Sequence, residues 1–138
     1  MKTINLLLLF SLFVSCAATS NYGQNPLDEL FVQNFNVLED YSTGKISRSQ
    51  LSIQQKALMY LLMDWTGRPA EFDHYKGMQV ATSDVHFWRK WYSTNKHSLD
   101  VEMVQKAMAI QIKVFSEGIL SHEELEFLDK TSREIRAL

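Results

Sequence analysis

The sequence predicts an all-α protein, folded as a compact bundle of about five helices. Three observations support this prediction. Glycine and proline are sparse, with five glycines and two prolines among 138 residues, and they lie mostly between the apolar stretches. After residue 25, apolar residues recur at the three- and four-residue spacing of a helix face. No stretch shows the regular apolar and polar alternation that predicts a strand.

The first 15 residues are typical of a secretory signal peptide. Met1 and Lys2 provide a positive start, and residues 4–14 form an apolar run that only Asn5 and Ser11 interrupt. A helix needs about 20 apolar residues to cross a bilayer, so this run is too short to span one. Its length suits the hydrophobic region of a cleaved leader.

The leader is followed by the only cysteine of the chain, Cys16. The segment Phe13-Val14-Ser15-Cys16 resembles the lipobox of bacterial lipoproteins. This resemblance implies that the cysteine sulfur receives a diacylglycerol group, that signal peptidase II cleaves before Cys16, and that the new amino group is acylated. Stable anchoring takes more than one acyl chain, and such a cysteine carries enough of them. The alternative is an ordinary leader, cleaved near residues 17–20, with Cys16 discarded.

The predicted organisation is a signal peptide at 1–15, a lipidated tether at 16–25 and one helical domain at 26–138. Residues 17–25 are small and polar, which is typical of a flexible linker. The remainder has the length of one ordinary domain. Ala17 follows the cysteine, so there is no Asp-type signal for retention at the inner membrane, and we expect the outer membrane.

Two helices are predicted before residue 68. Asn25 caps the first, Pro26 occupies its first position, and Gly44 ends it. Ser47 or Ser49 opens the second helix. The predicted core residues are Leu27, Leu30, Phe31, Phe35, Leu38 and Tyr41 in the first helix, and Leu51, Leu58, Leu61, Leu62 and Trp65 in the second.

Three more helices follow residue 81. Thr82 or Ser83 caps the third, Ser98 caps the fourth, and a capping box of Ser121 and Glu124 opens the fifth. The fourth helix is apolar on much of its circumference, so we expect it at the centre of the bundle.

The stretch from Ala57 to Leu99 resembles a helical hairpin found in many HEAT-like bacterial envelope proteins. That pattern has a leucine-rich helix ending in Thr-Gly, then a helix with an acid, Trp-x-x-Trp and Asn. The resemblance implies a binding or scaffolding role, without any attached chemistry. Its residues here are Ala57, Leu58, Leu61, Leu62, Thr66 and Gly67, then Asp84, Trp88, Trp91, Tyr92, Asn95 and Lys96.

Residues 68–81 form the longest stretch without a helical pattern, and ordered loops of this length are often functional. Phe72, His74 and Tyr75 from this loop, together with Trp91, are the candidate binding surface. Trp88 is expected in the core. Trp91 lies off the stripe of Trp88, so its place in the core or on the surface is open. Exposed aromatic side chains of this kind anchor protein interfaces.

Composition and motifs exclude several functions. The formal net charge of −2 provides no basic surface for nucleic acid. No glycine-rich phosphate loop or other cofactor motif is present, and we predict no metal site. The segment from His122 begins like a zinc-protease helix, but Glu126 stands where the second histidine should be.

The sequence therefore predicts a bacterial envelope lipoprotein that binds an envelope protein and is not an enzyme. An immunity- or inhibitor-like lipoprotein that holds one partner at the membrane is an alternative. A small enzyme that uses the 68–81 loop is another, because an acid beside a histidine, as in Asp73 and His74, can orient it as a general base.

Overall fold

The computed structural model describes residues 25–73 and 77–138, without the side chains of Phe72 and Asp73. The predicted signal peptide, Cys16 and most of the predicted tether lie outside these residues. Within them the protein is a bundle of five α-helices, which confirms the predicted all-α class. No described helix is long and apolar enough to cross a membrane. The elements are α1 (Asp28–Ser42), a 3-10 helix (Arg48–Gln50), α2 (Ile53–Thr66), β1 (Glu71–Asp73), β2 (Gly77–Gln79), α3 (Thr82–Asn95), α4 (Val101–Glu117) and α5 (His122–Arg136).

The central helix of the bundle is α2, and the prediction that the fourth helix is central is wrong. All four other helices pack against α2, whereas α4 packs mainly against α2 and α5. Buried residues occupy most of the circumference of α2 over its middle turns, and only the face of Lys56, Tyr60 and Asp64 is partly open to solvent there. Its buried side chains are Ala57, Leu58, Met59, Leu61, Leu62 and Trp65.

Several helices begin at other residues than the sequence predicted. Ser52 caps α2, since its hydroxyl accepts a hydrogen bond from the Gln55 backbone at 3.1 Å. Asp100 caps α4 in place of Ser98, by accepting from the Met103 backbone at 2.8 Å. Serine and aspartate both satisfy free helix N–H groups, so a run of such residues does not fix the first turn.

The observed N-terminal caps of α3 and α5 can also be compared with the predicted ones. Ala81 precedes α3, and its backbone N–H donates to the Asp84 carboxylate at 3.0 Å. Neither Thr82 nor Ser83 therefore caps this helix. The predicted capping box of α5 is confirmed, with Ser121 and Glu124 bonding each other's backbone at 2.8 and 3.2 Å.

The stretch between α2 and α3 is not wholly irregular, because it contains a short antiparallel hairpin. Phe72 pairs with Met78 between β1 and β2. The Tyr41 hydroxyl donates to the Met78 carbonyl at 2.8 Å and so ties β2 to α1. Met78 and Val80 are buried and continue the core. Strands of three residues are too short to show an alternating pattern, which explains why the sequence did not predict them.

The segment that resembles a HEAT-like hairpin comprises α2 and α3. These two helices contact each other only lightly, since α3 packs mainly against α1 and α2 packs mainly against α4. Trp65 and Trp88 are both fully buried, as the sequence predicted. The resemblance itself stays a prediction.

The position of α2 predicts where truncation is most damaging. Leu58 is fully buried in α2, so Leu58→Ala should lower the free energy of unfolding by about 2–5 kcal/mol. Leu125 is 53% exposed on α5, and Leu125→Ala should cost less than about 0.5 kcal/mol. Denaturant titration followed by tryptophan fluorescence measures both. Equal losses in the two variants would contradict the central place of α2.

Candidate functional site

A groove of about 600 Å³ runs between α1, α2 and α4. It exists because α1 and α4 both pack against α2 but have little contact with each other. The first turn of α2 contributes Gln54 and Gln55 to its lining. Amide side chains and an apolar floor make up nearly all of its lining, which consists of Pro26, Glu29, Leu30, Gln33, Asn34, Gln54, Gln55, Gln105, Met108, Ala109 and Ile112.

Three of the five amide side chains in the groove are free to bind a ligand. The side chains of Gln33, Gln54 and Gln105 make no hydrogen bond to another residue of the described chain. Each amide offers two donor hydrogens and a carbonyl acceptor. The groove therefore presents several donors and several acceptors together, one set on each of its three helices.

The other two amides are held in place by the helices that carry them. The Asn34 side-chain N–H donates to the Leu30 carbonyl at 2.6 Å, which leaves the side-chain oxygen as a free acceptor. The Gln55 side-chain oxygen accepts from the Ser52 backbone at 2.8 Å, which leaves its NH₂ group as a free donor. Asn34 therefore offers an acceptor on α1 and Gln55 offers a donor on α2, and a local hydrogen bond fixes each of them.

The floor of the groove is apolar, and its charge is confined to one end. Leu30, Met108 and Ile112 are wholly or partly buried beneath the amides. Glu29 is the one charged residue among the described lining residues, and it makes no ion pair within the described chain. The described lining includes no serine, threonine, histidine, cysteine or lysine, so the Glu29 carboxylate is its one side chain of a nucleophilic type.

A second hollow adjoins the groove at the start of α1 and shares Pro26, Glu29 and Gln33 with it. Its wall is braced by Asp28, which accepts from the Tyr92 hydroxyl at 2.9 Å and from Lys96 at 3.2 Å. The Tyr92 hydrogen bond is the main reason that the pKa of Asp28 lies below its usual value, and Lys96 lowers it further. Burial, then the Asp28 carboxylate, raises the pKa of Tyr92.

Of the candidate binding surface predicted from the sequence, only Trp91 has a described side chain. Trp91 is partly buried and packs against the core, so it is not a freely exposed platform. His74, Tyr75 and the side chain of Phe72 lie outside the described residues. None of the described lining residues of the groove belongs to this surface.

The exposed aromatic residue of α3 is Phe87, one turn before Trp91. It is 38% exposed, and the Arg68 guanidinium lies over its ring at 4.8 Å from the centroid. Arg68 also pairs with Asp84 at 2.7 Å and donates to the Ser83 hydroxyl at 3.4 Å, so all three of these interactions are within the domain. This corner of the fold is therefore a packed junction between the end of α2 and the start of α3.

Sequence reasoning missed the amide groove altogether. Its glutamines come from three distant parts of the chain, at position 33, at positions 54 and 55, and at position 105, and none of them belongs to a sequence motif. No local pattern joins them, because only the packing of α1 and α4 on α2 brings them together.

Within the described residues, no group of three or more histidine, cysteine, aspartate or glutamate side chains could hold a metal ion.

Comparison with known proteins leaves the groove without a precedent. The chain matches no known protein family, no curated protein and no solved structure at a significant level. The residues of the groove and their contacts therefore carry the functional argument.

The Asp28 contacts predict a pH dependence of stability. A carboxylate whose pKa is lowered by folding stabilises the fold at neutral pH, and this contribution is lost as the pH falls below its usual value of about 4. Asp28→Asn should therefore lower stability near neutral pH and lose less than the wild type between about pH 5 and pH 2. Chemical denaturation at a series of pH values measures this.

The matched control for this prediction is Glu102→Gln. Glu102 is exposed and makes no ion pair or hydrogen bond within the described chain. Its neutral variant should keep the acid dependence of the wild type. An Asp28→Asn protein with an unchanged acid dependence would contradict the role given to this carboxylate.

Proposed function

We propose that the protein is a lipid-anchored bacterial envelope protein whose helical domain is a non-enzymatic binding module. The observation that carries the binding role is the groove, with its free amides on three helices and its apolar floor. Pockets of about 300–1,000 Å³ that combine an apolar lining with a few placed polar groups are typical ligand sites. The groove falls within that range.

The chemistry of the groove supports binding over catalysis. General acid–base work needs a titratable group near the operating pH, within reach of the reacting atoms. Amides do not titrate, and the described lining contains only the Glu29 carboxylate. What the groove can do is exchange hydrogen bonds with a ligand and bury part of it.

The anchor rests on the sequence around Cys16, which resembles a lipobox. Asn25, the first described residue, stands nine positions after Cys16, and a chain of nine residues reaches at most about 30 Å. Asn25 is tied to the end of α3 through its side-chain NH₂, which donates to the Lys96 carbonyl at 2.8 Å. An anchored domain would therefore hold its groove, which begins at Pro26, close to the membrane surface.

Replacing the cysteine tests the anchor. Cys16→Ser removes the sulfur that would carry the lipid, so the protein should leave the membrane fraction and take up no fatty-acid analogue. Ser20→Ala, four residues further on, should leave both properties unchanged. Fractionation and metabolic labelling measure them. Membrane retention and labelling of the Cys16→Ser protein would refute a lipid on this residue.

Blocking the groove tests the binding role without a known ligand. Ala109 lies exposed on the α4 side of the groove, so Ala109→Trp should fill it and abolish the cross-linked partners found in cell envelopes. Ser116→Trp adds the same bulk to an exposed position of α4 outside the groove. Cross-linking and mass spectrometry compare the two variants. Identical partners with both variants would argue against the groove as the binding site.

A further inference from the structure

The groove specifies the chemistry of its ligand, provided that it is the binding site, as proposed above. A ligand that satisfies Gln33, Gln54 and Gln105 must offer donors and acceptors in similar number. A purely anionic ligand offers only acceptors, and a purely cationic one offers only donors. The free amides therefore favour a neutral ligand rich in both kinds of group.

The two fixed amides narrow the choice further. Asn34 presents an acceptor from α1, and Gln55 presents a donor from α2, each held by a hydrogen bond within its own helix. A polypeptide backbone carries an N–H and a C=O in nearly every residue. One extended strand can therefore donate to the Asn34 oxygen and accept from the Gln55 NH₂ group at the same time. This is the complement that the two sides of the groove require.

The neutral alternative is a glycan, and the lining disfavours it. Sugar rings bind well where an aromatic ring offers a flat apolar face, but the described lining contains no aromatic residue. The nearby Tyr60 and Phe115 pack edge to face on each other, with ring centroids 5.3 Å apart. The floor of Leu30, Met108 and Ile112 suits small aliphatic side chains instead.

Length and charge complete the description of the ligand. The groove follows α1 from Pro26 to Asn34, which is about 12 Å of helix, and an extended strand covers that distance with about four residues. Glu29 stands at the end near Pro26 without a partner in the described chain, so a cation can pair with it there. Lys96 is not available for this, because it already pairs with Asp28 at 3.2 Å.

We propose that the groove binds a short extended peptide segment with small neutral side chains and a cationic group at the Glu29 end. The occupant is therefore a mobile or extended segment of a partner protein. The cation sets the direction in which the segment lies along α1.

The probes are blocked hexapeptides of alanine, serine and valine, in a neutral form and in a form with one terminal lysine. The full chain, purified in detergent, is titrated with each peptide and with a chitin oligosaccharide, and amide NMR shifts report binding. We expect the lysine form to bind about 1.5-fold to fivefold more tightly than the neutral form and the oligosaccharide not to bind. Binding of the oligosaccharide in the groove, or of no peptide at about millimolar concentration, overturns the proposal.

Matched variants locate the binding. Gln105→Met keeps the size of the side chain but removes its hydrogen bonds, so affinity for both peptides should fall about threefold to tenfold. Gln111→Met makes the same change on α4 outside the groove and should have no effect. Glu29→Gln should abolish only the preference for lysine. Unchanged affinity of the Gln105→Met protein, or an unchanged lysine preference of the Glu29→Gln protein, overturns the proposal.

The peptide-binding experiment can fail without the proposed function failing, and the reverse also holds. Cys16→Ser reports on the anchor, and Ala109→Trp reports on whether the groove binds any partner. If both behave as expected but no peptide binds, the groove is a binding site for something other than an extended neutral segment. If Ala109→Trp has no effect on partners while peptides bind, the peptide site exists but does not carry the cellular function.

Discussion

The burial of α2 is the constraint on which the rest of the structure depends. Leu58, Leu62 and Trp65 on this one helix are all essentially removed from water, and every other helix packs on it. Apolar burial is the dominant favourable term in folding, so the other helices are placed by the need to cover α2. The ion pairs contribute little by comparison, because nearly all of them lie at exposed or half-exposed positions such as Lys45 with Asp40.

This arrangement also creates the groove. A central helix has a limited circumference, and α1 and α4 cover different sides of it without meeting closely. The gap between them is filled at its base by apolar side chains and lined at its rim by glutamines. Charged side chains at this rim would pair or repel, whereas amides remain uncharged and available at every physiological pH. The amides of the groove therefore keep the same donors and acceptors across the physiological pH range.

Much of the fold was predictable from the sequence, because its causes are local. The five helices follow from apolar spacing, the Ser121 and Glu124 capping box follows from a four-residue pattern, and Gly67 and Gly118 end their helices with φ angles of 63° and 73°. The exact first turn of α2 and of α4 was not predictable, since several serines or acids stand side by side. The hairpin at β1 and β2 was missed because its strands are too short for a pattern.

The sequence by itself determined the helices, the burial of Trp65 and Trp88, and the position of the one cysteine, Cys16, directly after an apolar run. Only the tertiary structure decided that α2 and not α4 is central, because contacts with four neighbours cannot be read from the apolar content of one helix. It alone decided that Trp91 is partly buried. It also joined Gln33, Gln55 and Gln105 in one groove, since residues so far apart in the chain become neighbours only through packing.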